Sequence, residues 1–115
     1  MLEIYGIKNC DSVKKAIKYL KDNSIEYKLI DFKTTPVDIE TIKEWLSFVD
    51  IDTLFNKRST TYRNLKLKDK NLSDEEKLHY LAQENLLIKR PVIKYDNNII
   101  VGYNISNYQN ILIKG

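Results

Sequence analysis

Leu2-Glu3-Ile4-Tyr5-Gly6 alternates apolar and polar positions and ends on a glycine, which predicts a strand over 2–6 with a turn behind it. From Val13 the spacing changes. Val13, Ala16, Ile17 and Leu20 follow the i, i+3, i+4, i+7 pattern of an amphipathic helix, and Asp11 and Ser12 stand just ahead of it as expected caps. Asp22-Asn23-Ser24 breaks the helix, and Ile25 to Asp31 reads as a second strand. Strand, helix, strand predicts a parallel pair joined by a right-handed crossover.

Pro36 or Asp38 opens the next helix, with Ile39, Ile42, Trp45, Leu46 and Val49 as its stripe and Trp45 expected in the core. Ile51 to Phe55 reads as a further helical turn. Ser73-Asp74-Glu75-Glu76 is an S-x-x-E capping box ahead of Leu78, Leu81 and Ala82, and predicts a helix. His79 lies beside that stripe, without a sequence-near acid or nucleophile, and reads as a surface residue. Leu86-Leu87-Ile88 is expected to pack under the next turn. Val92–Tyr95 and residues 98–102 read as a hairpin about Asp96-Asn97-Asn98, and Asn104 as the cap of a last helix with Ile105, Tyr108, Ile111 and Leu112 on one side. The pattern is α/β: βαβ, a helical insert at about 37–88, then ββα, in one domain over 1–115.

The composition narrows the function classes. With 115 residues, 43% hydrophobic and 30% charged, the chain has the make-up of a globular domain with a real core. A net charge of +3, without a basic stripe interleaved with aromatics, gives no ground for direct nucleic-acid binding. One Cys and one His cannot supply a thiolate/imidazole zinc site or an internal disulfide, so no metal site is expected. No apolar run reaches the length of a membrane span, and the N-terminus enters a strand at once, so no membrane association and a cytoplasmic location are expected.

Cys10, the single cysteine, falls between the first strand and the first turn of the first helix. A lone cysteine is more often a small buried apolar residue than a reactive one. This setting reverses the balance. The first N–H groups of a helix have no partner within the helix, the positive end of the dipole lies there, and both favour the thiolate over the thiol. Lys8, Lys14 and Lys15 act in the same direction, and Asp11 opposes them. Asn56 to Arg63 is the other polar stretch of interest. It is basic and hydroxyl-rich with little apolar periodicity, and reads either as a solvated loop or as an anion-facing loop in which Arg58 or Arg63 offers a planar fork.

Four words in order, Tyr5-Gly6-Ile7-Lys8-Asn9-Cys10, Leu54-Phe55-Asn56-Lys57-Arg58, Lys89-Arg90-Pro91-Val92-Ile93 and Val101-Gly102-Tyr103, resemble the arsenate reductase C (ArsC)/Spx family, and most closely its YffB-type branch. The resemblance implies a thioredoxin-like fold, with a four-stranded mixed sheet in the order 2-1-3-4. The first three strands are expected parallel and the fourth antiparallel. It implies Cys10 as the nucleophile and a cis Arg90–Pro91 bond close to it. Asn9, Ser12, Lys14, Arg58, Arg90 and Pro91 are then expected to bind substrate or glutathione, with the amides of Cys10 and Ser12 supporting the thiolate.

Two departures from the family pattern matter. The true arsenate reductases carry a third arginine after the fourth strand, where this chain has Gly102-Tyr103-Asn104, and Gly-Thr-Ser-Arg after the nucleophile, where it has Asp11-Ser12-Val13-Lys14. Many Spx regulators carry Cys-x-x-Cys, and here Val13 occupies the second position. The resemblance therefore implies a thiol-dependent oxidoreductase whose single cysteine is resolved by an external thiol. Glutathione is the expected co-substrate, a glutaredoxin a further partner, no cofactor is tightly bound, and the protein is expected to be a monomer. The alternatives are an arsenate reductase proper and an Spx-like regulator that docks on RNA polymerase.

Overall fold

The computed structural model describes residues 1–113; the last two residues of the expected domain, 114 and 115, lie outside the described residues. The elements run β1 (Leu2–Gly6), α1 (Asp11–Asp22), β2 (Tyr27–Asp31), α2 (Ile39–Trp45), α3 (Ile51–Leu54), α4 (Thr60–Asn64), α5 (Asp74–Gln83), β3 (Val92–Tyr95), β4 (Asn98–Val101) and α6 (Ile105–Tyr108). Short 3-10 turns occupy Leu67–Asp69 and Asn85–Leu87, and α6 widens into a π-turn at Gln109–Ile113. They form two compact units, one from Met1–Thr35 with the chain from Arg90 onward, the other Pro36–Lys89. None of the described helices is long and apolar enough to cross a membrane.

The first unit is a four-stranded mixed sheet in the order β2-β1-β3-β4. β1 and β2 are parallel, with Leu2 opposite Tyr27 and Gly6 opposite Asp31. β2 begins two residues later than the apolar pattern suggests. Ser24 turns the chain at φ 55°, and the Ile25 N–H is taken by the Leu20 carbonyl at 2.8 Å.

β3 corrects an expectation. It runs antiparallel to β1, with Tyr5 opposite Val92 and Glu3 opposite Lys94, rather than parallel. The reason is where the chain leaves and re-enters the sheet. Phe32 N–H reaches the Gly6 carbonyl at 2.8 Å, so β2 ends beside the end of β1, and β3 starts beside that same end. A parallel β3 would have to start at the opposite edge. β4 pairs antiparallel with β3, Val92 opposite Val101.

Leu2, Ile4, Ala16, Leu20, Ile93, Ile100 and Tyr108 form the core of this unit, with Ile17, Tyr19, Ile111 and Leu112 packed against it. Ile105, expected on the same side of the last helix, is exposed instead. α1 lies close against the end of β1, where a Cβ on Gly6 would come within 2.6 Å of Val13 Cγ2. Only a glycine lets the first turn of α1 lie this close to the strand.

The second unit is helical, and its helices start where short polar side chains cap them. Asp38 accepts from Thr41 N–H, Asp50 from Thr53 N–H, Ser59 from Tyr62 N–H, and Ser73 with Glu76 forms a reciprocal capping box. Ser59 thereby organises α4 within a stretch that apolar periodicity leaves as loop. Ile42, Trp45, Leu54, Leu81, Leu87 and Ile88 are buried. Asn85 is a buried polar residue, and the sequence pattern does not mark it.

Candidate functional site

Cys10 is itself the N-cap of α1, with φ −141° and ψ 124°, and its carbonyl accepts the Lys14 N–H at 2.9 Å. Asp11 and Ser12, expected as caps, are the first two helical residues. The N-cap is the position from which a side chain reaches the free N–H groups of the next turn, here those of Ser12 and Val13. The Cys10 side chain makes no capping hydrogen bond, is half-buried and is a free thiol. Asn9 and Lys14 are exposed on either side of it, and Ser12 is half-buried in the first turn.

The Arg90–Pro91 peptide bond is cis. Pro91 is buried, and its carbonyl accepts the Gly102 N–H at 2.8 Å; Arg90 is half-buried. Because Tyr5 pairs with Val92 in an antiparallel ladder, the residues after β1 and those before β3 leave the sheet at the same end. Cys10, Ser12 and Lys14 follow β1, and Arg90 and Pro91 precede β3, so the sheet unit carries both segments at one end.

Gly102 sits at φ 83°, in the left-handed region, and its carbonyl accepts the Tyr108 hydroxyl at 2.8 Å. Burial pushes the Tyr108 phenol well above its ordinary value, so this hydroxyl stays a donor. Tyr103 stands edge-on to Tyr108, with ring centroids 5.7 Å apart.

Arg58 belongs to the helical unit. Its N–H donates to Asn56 Oδ1 at 3.0 Å and its side chain is exposed. An antiparallel bridge between Phe55 and Ile88, with the Lys89 N–H on the Leu54 carbonyl at 2.7 Å, brings two segments together there. Lys57, Arg58 and Lys89 line a cavity of about 590 Å³ between them. The grouping of Lys89 with Arg58 has no counterpart in the linear pattern, because Lys89 is 31 positions further along the chain. Arg63 lies in α4, its guanidinium 3.4 Å from Thr60 Oγ1.

His79 corrects a smaller reading: it has an acid one helical turn earlier, with Nε2 4.0 Å from Glu75 Oε1 on the exposed face of α5. Among the described residues, no group of three His, Cys, Asp or Glu side chains is placed to hold a metal ion.

The ArsC family profile matches residues 5–111. The chain belongs to the ArsC family. An uncharacterised protein of Haemophilus influenzae is 44% identical over 110 residues, covering 95% of this chain and 96% of that one. The global transcriptional regulator Spx of Listeria innocua is 27% identical over 106 residues, covering 90% and 81%. Among solved structures, a YffB protein superimposes with a TM-score of 0.90 at 28% identity over 97% of this chain and 99% of that one. A possible arsenate reductase from Streptococcus mutans does so at 0.78 and 35% identity over 90% and 92%. The ArsC-family architecture here is thioredoxin-like, with a mixed four-stranded sheet and helices.

Proposed function

We propose that the protein is a thiol-dependent oxidoreductase in which Cys10 is the nucleophile and an external thiol, with glutathione as the expected one, is the reductant. The observation that carries this reading is the position of Cys10: a half-buried free thiol at the N-cap of a twelve-residue helix, its side chain uncommitted to any capping bond. The N–H groups of the first helical turn lie within reach of a side chain at this position and can donate to it.

With a disulfide substrate the chemistry balances in three exchanges. Cys10 Sγ attacks one substrate sulfur, forms a mixed disulfide and expels the other as a thiolate. A first external thiolate attacks Cys10 Sγ, releases the second substrate thiol and leaves a mixed disulfide with Cys10. A second external thiolate attacks the external sulfur of that adduct and frees Cys10. Two external thiols become a disulfide and two electrons pass to the substrate. No second cysteine is required, and the chain has none.

In this reading Arg58 and Arg90 bind anionic groups of the substrate or of glutathione, and Asn9, Ser12, Lys14 and Pro91 shape the surroundings of the thiol. The test is a thiol-transfer assay driven by glutathione, with and without a glutaredoxin. Wild type is expected to turn over, Cys10→Ser to be inactive, and Arg58→Ala and Arg90→Ala to raise KM for glutathione more than they alter folding. An active Cys10→Ser variant would overturn the reading.

The likeness to Spx supports a second reading, docking on RNA polymerase without turnover. Position 13, where many Spx regulators carry a second cysteine, is Val13 here, so an Spx-type intramolecular disulfide is not part of this reading. Co-purification with RNA polymerase by a protein that transfers no thiols would favour this second reading.

A further inference from the structure

α1 carries a basic strip that begins at Lys14, one helical turn beyond Cys10. On a helix of 3.6 residues per turn, positions i, i+4, i+7, i+8 and i+11 fall on one face. Counted from Cys10, these are Lys14, Ile17, Lys18 and Lys21. Lys14, Ile17, Lys18 and Lys21, with Asp22 at the end, line a shallow cavity of about 320 Å³. Ile17 packs partly on the core and forms an apolar floor between the lysines.

Lys18 is held by Asp22 at 2.7 Å. Lys14 and Lys21 are exposed and make no salt bridge among the described residues. Asp22 and, seven positions before Lys18, Asp11 lie along the Lys18 edge of the strip, and Lys14 and Lys21 form the other edge. With a rise of 1.5 Å per residue, Lys21 at the far end of the strip lies about 16 Å along the helix from Cys10, the reach of roughly five residues of extended peptide.

We infer that this strip docks an acidic peptide segment flanking the reactive sulfur of a protein or peptide disulfide, which makes acidic thiol proteins the preferred substrates. The inference rests on the thiol-transfer reading of Cys10. Charge complementarity selects the occupant: two uncommitted ammonium groups and an apolar floor suit carboxylates spaced around one aliphatic side chain, on a chain whose net charge is +3. In the step itself Cys10 Sγ bonds to the peptide sulfur and the smaller thiolate leaves, while the acidic flank lies along α1.

The test uses synthetic peptides with one cysteine, supplied as the mixed disulfide with 2-mercaptoethanol and flanked on one side by Asp/Glu, Ser/Asn or Lys. Full-length wild type is expected to show a KM about tenfold lower for the acidic peptide than for the neutral one at low salt, which lies within the range of two exposed ion pairs. The advantage is expected to vanish as salt rises toward about 0.5 M, where screening is nearly complete at these distances. Lys21→Glu is expected to raise KM for the acidic peptide about fivefold with kcat retained.

A second readout does not need turnover. The acidic peptide with Ser in place of Cys, added to the Cys10→Ser protein, is expected to shift backbone amide resonances of residues 14–21. Equal KM for acidic and neutral peptides with active wild type would overturn the docking strip and leave the activity standing. Amide shifts on α1 without any thiol transfer by wild type would do the reverse.

Discussion

Asn85 closes a 48-residue loop by binding both backbone groups of Val37. Its Oδ1 accepts the Val37 N–H at 2.8 Å and its Nδ2 donates to the Val37 carbonyl at 3.2 Å, while the same Nδ2 lies 2.9 Å from the Leu81 carbonyl. The amide is buried, so these bonds have no solvent substitute. Asn85→Ala leaves a buried N–H and buried carbonyls unsatisfied, each worth about 1–3 kcal/mol. A loss of about 2–4 kcal/mol is expected in urea unfolding.

Gly6 and Val13 are coupled sterically. A Cβ at position 6 meets Val13 Cγ2 at 2.6 Å, inside contact distance. Gly6→Ala is expected to destabilise by about 1–3 kcal/mol, as overpacking does. Val13→Ala removes the obstructing methyl group, so the double variant should cost less than the two single variants added together, and a double-mutant cycle measures the difference.

Cys10→Ser separates stability from activity. A serine at an N-cap accepts a hydrogen bond that the thiol does not make here. The variant is expected to be more stable by about 0.5–1 kcal/mol while losing thiol transfer entirely. Denaturant midpoints and the glutathione-driven assay check the two halves independently.

Three capping carboxylates link the helical unit to pH. Asp38 is held below its ordinary value by the Thr41 N–H, Asp50 by the Thr53 hydroxyl, and Glu76 by the Ser73 N–H. A carboxylate whose folded value is lowered contributes stability above its unfolded value, near pH 4, and loses it as pH falls through the folded value. Stability should therefore decline below about pH 4. Asp38→Asn with Asp50→Asn keeps both caps, since Asn caps as well as Asp. It should flatten that decline while changing little at pH 7, as thermal melts across pH would show.

Arsenate turnover by the wild type is expected to be weak. A bound dianion lacks one guanidinium fork if Gly102-Tyr103-Asn104 stands where the reductases carry their third arginine, and a charge-assisted hydrogen bond is worth about 1.5–3 kcal/mol, or roughly ten- to a hundredfold in affinity. Asp11 beside the nucleophile adds repulsion. Tyr103→Arg is the substitution to compare, because Gly102 is at φ 83° and any side chain there is strained. A rise in arsenate reduction by Tyr103→Arg supports the argument, and efficient turnover by the wild type removes it.

The alternation of Leu2–Gly6, the stripe of Val13, Ala16 and Leu20, the hairpin around residues 96–98 and the Ser73–Glu76 box all appear in the structure with bounds that shift by two residues or fewer where they shift at all. These features are local: hydrogen bonds to residues three or four positions away and a face that must be buried are both written in nearest-neighbour spacing. The position of the single cysteine ahead of α1 was legible for the same reason, whereas the order of the strands came from the resemblance carried by the words around Cys10 and Arg90-Pro91.

The direction of β3, the clip between Asn85 and Val37, the fit of Gly6 against Val13 and the grouping of Lys57, Arg58 and Lys89 were decided only by tertiary structure. All but the Gly6–Val13 fit, which joins residues seven positions apart, depend on where the chain returns after a long excursion. A hydrogen bond or close contact between residues dozens of positions apart leaves no periodicity in the sequence. Cys10 in place of Asp11 or Ser12 as the cap is the local exception: the helix opens ahead of the two residues with good capping side chains, and Cys10 makes no capping bond.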